Sequence, residues 1–318
     1  MKLKIATRTL NCEYFIEFFL DYYIKGGVDE IFIFDSDSTD RTKEIIRNCQ
    51  KKNSKIHFIV SSKDLRHNNE KAEQNSCNTL LKFALNDFLA ENNEIWWAFL
   101  DIDEFIQYPK NLNLKSWLKQ RNRDTLRTVF FDLYLSPELI KTQIKAKDII
   151  QLAKRGGIKG IIPDLWGDPF FKDNVLRLNN QNIKKFETLK AGGGFHRWTL
   201  NNKLYLPSNK EFLVVYHLQG IPINIMQEKI KGNLKLLASV KDEWIKVHFQ
   251  KVSEIFDNYN TFYDQCGLKT IIELNEIMKN ISNYNNDKSY FNNIIMKEYI
   301  ENSDGSRPSK HGYKGFDI

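Results

Sequence analysis

The run Ile95-Trp96-Trp97-Ala98-Phe99-Leu100, followed at once by Asp101-Ile102-Asp103-Glu104-Phe105, constrains this chain more than any other segment. A short, uninterrupted apolar stretch that ends abruptly in polar residues reads as a buried β-strand. Three carboxylates within four residues at its end repel one another, and a divalent cation is the usual remedy. The segment is therefore expected to hold a metal ion and, with it, a diphosphate.

The chain before it alternates between two periodicities. Lys2 to Thr7 reads as a strand, and Glu13 to Lys25 as an amphipathic helix with Glu13, Glu17 and Asp21 on one side and Phe15, Phe18, Phe19, Tyr22 and Tyr23 on the other. Such an aromatic stripe is expected to be core. Gly26-Gly27 ends the helix, and Val28 to Phe34 forms a second strand that stops at Asp35. A helix from Asp40 to Lys51, a strand from Lys55 to Ser61 and a long helix from Lys71 to Ala90 follow, the last burying Ala72, Leu80, Leu81, Ala84, Leu85 and Phe88. This order predicts an α/β fold: a mostly parallel, Rossmann-like sheet flanked by helices, with ligands beyond the carboxyl ends of the strands. Asp35 and Asp101 both fall at such ends.

Beyond Asp103, Leu114 to Arg121 reads as a helix and Thr128 to Tyr134 as a strand. Ser136 to Lys185, with Gly156-Gly157, Gly160 and Pro163, reads as long functional loops. Phe212 to Leu218, which contains His217, is one more apolar strand. Helices are expected from Ile223 onward, with Trp244, Ile255, Phe256, Tyr259 and Phe262 packing back onto the sheet, and 303–318 is expected to be a mobile tail.

The 318 residues carry a net charge of +7, which favours anionic partners, but the lysines are scattered, so nucleic acid is not expected. No apolar run reaches the ~20 residues of a membrane-spanning helix, and the amino terminus leads straight into a strand. A cytoplasmic location is expected on that basis. Cys12, Cys49, Cys77 and Cys266 lie far apart and suggest reduced thiols rather than a disulfide framework or zinc site.

Two ordered motifs, Gly27-Val28-Asp29-Glu30-Ile31-Phe32-Ile33-Phe34-Asp35-Ser36-Asp37-Ser38-Thr39-Asp40-Arg41-Thr42 and Trp97 to Phe105, resemble glycosyltransferases of the GT-A fold, in particular glycosyltransferase family 2 and its family 92 relatives. The resemblance covers residues 1 to about 110, and D-x-D alone would be far less specific. It implies a nucleotide-sugar-binding half at 1–110, an acceptor-side half at 111–222, a helical region at 223–302 and the tail.

The resemblance also implies roles. Asp35 accepts hydrogen bonds from the nucleobase or ribose, and Thr7 and Arg8 line the same pocket. Asp103 binds Mn2+ or Mg2+ directly, Asp101 supports it through water or reaches the ribose, and His217 is the late histidine ligand. Ser38, Thr39 and Asp40 are expected to cap the following helix instead. Lys190-Ala191-Gly192-Gly193-Gly194-Phe195-His196-Arg197-Trp198 reads as a lid over the diphosphate or part of the acceptor pocket, with Lys190 and His196 at the nucleotide sugar, or else as a flexible hairpin. The base expected of an inverting enzyme is one of Asp164, Asp168, Asp173 and Glu187, with Asp168 first. One departure stands out: Leu10-Asn11 replaces the family's Asn-Glu after the first strand, so a role tied to that acid does not transfer.

Together these imply a UDP-sugar donor and a glycan or glycolipid acceptor, such as a bacterial surface polysaccharide or lipooligosaccharide precursor, at the inner face of the membrane. Lys229, Lys231, Lys235 and Lys241 form a solvated face or a surface for peripheral membrane contact. Phe34 to Thr39 also satisfies the D-x-D-x-T motif of haloacid-dehalogenase-like phosphohydrolases, in which Asp35 would be the nucleophile. That alternative leaves Asp101 to Glu104 unexplained. A third reading is a non-catalytic nucleotide- or glycan-binding module, and a nucleotidyltransferase lacks its Gly-rich phosphate loop here.

Overall fold

A computed structural model of the chain describes residues 1–60, 70–107, 113–158, 171–195, 198–205, 212–228, 253–254, 256–265 and 269–270. Its first half follows the alternation of the sequence: β1 (Lys2–Thr9), α1 (Ile16–Lys25), β2 (Glu30–Asp35), α2 (Thr42–Lys52), β3 (Ile56–Val60), α3 (Glu70–Glu91) and β4 (Ile95–Phe99). β5 (Glu104–Ile106), α4 (Leu114–Lys119), β6 (Thr125–Tyr134), α5 (Ala146–Leu152), β7 (Arg155–Ile158) and β8 (Phe171–Leu178) come next. Then come α6 (Ile183–Phe186), β9 (Leu189–Ala191), β10 (Trp198–Leu200), β11 (Lys203–Tyr205), β12 (Phe212–Gly220), α7 (Tyr259–Gln265) and β13 (Lys269–Thr270).

β3, β2, β1 and β4 lie side by side and parallel. β8 then runs antiparallel between β4 and β6, and β12 lies parallel to β6 along its other edge. This is the α/β sheet the periodicities predict, a GT-A-like arrangement in which β5, β7 and β8 run against the other described strands of the sheet. β9, β10 and β11 form a small separate sheet.

The long-loop reading of 136–185 is corrected in part, since α5, β7, β8 and most of α6 lie inside it. β8 was hidden because Lys172, Asp173 and Asn174 are consecutive polar residues that are all buried. Each has a partner. Arg127 pairs with Asp173 at 2.7 Å, and Asn174 donates to the Phe99 carbonyl and accepts from Thr128 Oγ1. Paired polar groups can occupy a core strand that a periodicity argument rejects.

One core cluster packs α1 and α2 against the sheet, and another packs α3 and the small sheet. The aromatic stripe of α1 is core, as expected, and it has a specific target. Phe105 lies 4.6 Å from Phe18, stacked, and 5.2 Å from Tyr22 between ring centroids. Tyr23 Oη donates to the Glu104 carbonyl at 2.8 Å and accepts the Ile106 N–H at 2.9 Å. Gly27, at φ +86°, supplies the left-handed residue after α1 that turns the chain into β2. α1 therefore clamps the turn that carries the three carboxylates.

Lys4, fully buried at the opposite end of β1, donates to Asp87 at 2.8 Å and pairs with Glu30 and Glu91, tying β1 to β2 and α3. Phe256, Tyr259 and Phe262 are buried against the sheet, with Tyr259 Oη donating to the Leu135 carbonyl at 2.7 Å. Trp244, the side chain of Ile255, the lysines of 229–241 and residues 303–318 lie outside the described residues. Among the described residues no helix is long and apolar enough to cross a membrane.

Tyr23→Phe removes the hydroxyl from a buried N–H and a carbonyl at once. A loss of about 1–3 kcal/mol in unfolding free energy is expected, read from urea denaturation.

Candidate active site at the acidic turn

The turn between β4 and β5 is built by three strands that do not adjoin in sequence. β8 runs antiparallel to β4 with Ala98 opposite Val175, so its first residues lie beside the end of β4. Lys172 Nζ thereby meets Asp101 Oδ2 and Glu104 Oε1, each at 2.5 Å. β12 pairs with β5, with His217 opposite Glu104, and with β6, with His217 opposite Asp132. The Leu218 N–H closes the corner on the Asp103 carbonyl at 3.0 Å.

The three carboxylates consequently have different neighbours. Asp101 is half-exposed, contacts Lys172 and lies 3.9 Å from an Arg8 guanidinium nitrogen. Desolvation by the surrounding protein opposes its ionisation despite the exposed edge, but the Lys172 and Arg8 charges hold its carboxyl well below the ordinary range. Glu104 is buried. Desolvation pushes its carboxyl up to about 7, with the Asp101 charge adding to the rise and the Lys172 ammonium opposing it. Burial would lower the Lys172 ammonium, yet the two carboxylates hold it above the ordinary lysine range.

Asp103 faces His217 instead, with Oδ2 3.7 Å from Nε2. The other ring nitrogen, Nδ1, lies 2.7 Å from Asp132 Oδ1, and Asp132 is buried. A proton on Nδ1 donated to Asp132 leaves Nε2 with its lone pair toward Asp103. This is how a carboxylate orients a metal-binding imidazole.

Among the described residues no group of three or more His, Cys, Asp and Glu side chains forms a metal-holding cluster. The donor set nonetheless suits Mn2+ or Mg2+: one carboxylate oxygen and one imidazole nitrogen converge, which leaves coordination positions for diphosphate oxygens and water. Asp103 and His217 would hold such an ion, and Asp101, taken up by Lys172, would stand beside it.

Asp35 is buried at the end of β2. Its oxygens accept from Ser38 N–H at 2.9 Å, Ser38 Oγ at 2.5 Å and Thr9 Oγ1 at 3.2 Å, and Lys43 Nζ lies 3.9 Å away. The capping expectation is corrected at Ser38, which serves Asp35 and not the helix, whereas Asp40 accepts the Thr42 N–H at 3.0 Å. Asn11, at the departure from the family pattern, accepts from the Thr39 and Asp40 N–H groups, and Glu13 accepts from that of Arg41. The loop after β1 thus braces the loop after β2. Arg8 donates to Ser76 Oγ on α3 at 2.7 Å, and Thr7 is fully buried.

Other expected site residues are not brought to this turn by any described contact. Asp173 is a buried structural partner of Arg127, which removes it from the candidate bases. Glu187 is exposed at the end of α6, and Lys190 Nζ donates to Asn202 at 3.0 Å on the small sheet. Gly192 and Gly194 are buried, with Phe195 stacked 4.4 Å from Phe99. Asp164, Asp168 and His196 lie outside the described residues. Lys172 and Asp132 belong to the site but are not among the residues the sequence motifs point to. A lone acid within Val129-Phe130-Phe131-Asp132-Leu133-Tyr134 was the available signal for Asp132.

Residues 8–124 match the family model described as Glycosyl transferase family 2, so the chain carries a glycosyltransferase-like domain, the match running from the end of β1 to just past α4. No curated protein matches by sequence. Among solved structures, S. aureus TarS is similar at 15% identity and a TM-score of 0.37, covering 82% of this chain and 44% of that one. The mannosyltransferase PcManGT from Pyrobaculum calidifontis, in complex with GDP-Man and Mn2+, is 12% identical with a TM-score of 0.33, covering 82% of this chain and 71% of that one. Glucosyl-3-phosphoglycerate synthase from Mycobacterium tuberculosis, in complex with Mn2+, UDP and phosphoglyceric acid, is 20% identical with a TM-score of 0.25, covering 41% and 43%. The chain thus spans less than half the length of TarS.

The raised Glu104 carboxyl gives a pH dependence in metal-free protein. Its folded pKa of about 7 exceeds the ordinary 4.5, so its contribution to stability is present below about 4.5 and is lost as pH rises through 7. In Glu104→Gln, that decline between pH 4.5 and 7 should flatten, as read from denaturant midpoints across pH.

Proposed function

We propose that the chain is a metal-dependent glycosyltransferase that moves a sugar from a nucleotide donor, a UDP-sugar, to a hydroxyl of a glycan or glycolipid acceptor. The observation that carries this reading is the convergence of Asp103 and His217 at the carboxyl end of β4, with Asp132 fixing the imidazole. The reading rests as well on the family match over residues 8–124. The alternative phosphohydrolase has less support, since both oxygens of Asp35 are taken up by Ser38 and Thr9.

Bound Mn2+ or Mg2+ would supply Lewis-acid stabilisation of the negative charge on the departing diphosphate. The chain's own residues do the rest. Asp103 and His217 would hold the ion, and Asp132 would keep the His217 proton on Nδ1. Asp101, ionised between Lys172 and Arg8, accepts hydrogen bonds from ribose hydroxyls through its exposed edge, and Arg8 adds positive charge to the same crevice. Asp35 shapes the loop from Ser36 to Asp40 that closes the nucleoside end. With inversion, the acceptor hydroxyl's proton passes to a carboxylate, for which Asp168 is the proposal and Glu187 the second. A place at the inner face of a membrane belongs to the same proposal and rests on the expected acceptor.

The test is thermal stabilisation by UDP with and without Mn2+. A rise in Tm that requires both, and that Asp103→Ala abolishes, is the expected outcome. Stabilisation by UDP alone, equal in Asp103→Ala, would remove the metal from the proposal. Asp132→Asn should keep the fold and weaken Mn2+ binding by about 10–100-fold, as measured by electron paramagnetic resonance of free Mn2+. Unchanged binding would contradict the positioning role.

A further inference from the structure

We infer that Lys172 is a positioning residue that serves as a built-in cation for half of the acidic turn, so that this site takes its single divalent ion at Asp103 and His217 and not at Asp101 and Glu104. The inference deepens the proposed metal site and rests on it. The family resemblance implies Asp103 as the direct ligand; what it does not supply is a reason why Asp101 and Glu104 would not compete, and the ammonium brought in by β8 is such a reason.

Three observations carry it. The Lys172 ammonium is 4% exposed and lies 2.5 Å from one oxygen of each of Asp101 and Glu104, so it bridges the two. It enters from β8, a strand held in register by the Arg127–Asp173 pair and by Asn174 on the Phe99 carbonyl, and it lies over the Phe130 ring, 5.3 Å from the centroid. Its position is thus set by the sheet and not by a flexible stem. The second oxygen of Glu104, Oε2, accepts the Asp101 N–H at 3.0 Å, which leaves that carboxylate fully engaged within the turn.

A buried cation that bridges two carboxylates does what a metal ion would do there, without needing to be bound from solution. It also repels a second cation at short range, which biases a divalent ion toward Asp103. Removing the ammonium frees Asp101, the half-exposed member, to act as a ligand.

The experiment measures Mn2+ binding, with Mn2+ alone as the probe, by electron paramagnetic resonance in five proteins: wild type, Asp103→Ala, Lys172→Met, Lys172→Met/Glu104→Gln and Lys172→Met/Asp101→Asn. The Glu104→Gln double variant avoids stranding a buried charge and keeps the test usable where the single variant does not fold. In Lys172→Met, and in the double variant with Glu104→Gln, Mn2+ should bind about tenfold more tightly or at a second site. That gain should vanish with Asp101→Asn. Unchanged or weaker binding in the folded variants would overturn the inference. Wild-type binding that Asp103→Ala does not reduce would instead overturn the proposed metal site, so the two failures are distinguishable.

Discussion

Everything at this site depends on how three carboxylates within four residues coexist at the end of a buried strand. Left alone, Asp101, Asp103 and Glu104 would repel one another in a poorly solvated corner, and such a turn would not hold its shape. The fold divides the problem. Lys172 compensates Asp101 and Glu104 from β8, and Asp103 is turned toward His217 on β12. Each partner comes from a strand far away in the chain, so the site exists only once the sheet is complete.

The same division explains the surrounding packing. Phe105 follows the acids directly and is gripped by the aromatic face of α1, while Tyr23 satisfies the polar backbone of β5. An acidic turn fixed on one side by aromatic packing and on the other by a buried ammonium has little freedom left. That rigidity would suit the proposed role of holding a cation and a diphosphate in one geometry.

The nucleotide-side half of the fold was legible because its signals are local. β2 and β4 are apolar runs that lead into acids, and α1 to α3 show their buried faces at helical spacing, so Asp35, Asp101 and Asp103 could be placed at or just beyond strand ends. Lys172 could not. β8 carries three consecutive polar residues into the core, where each is matched by a partner on β4, on β6 or in the acidic turn, and a pattern without alternation reads as loop. Asp173 reads as a candidate base for the same reason, since a buried partner of Arg127 looks in sequence like any loop carboxylate. Asp132 was legible in principle, as one acid in an apolar strand.

The central claim is the place of the cation, and it is tested most directly by anomalous scattering from Mn2+ in crystals grown with UDP and MnCl2. The account predicts one anomalous peak between Asp103 Oδ2 and His217 Nε2, with Lys172 still bridging Asp101 and Glu104. A peak held by Asp101 and Glu104, with the Lys172 ammonium displaced, would contradict it.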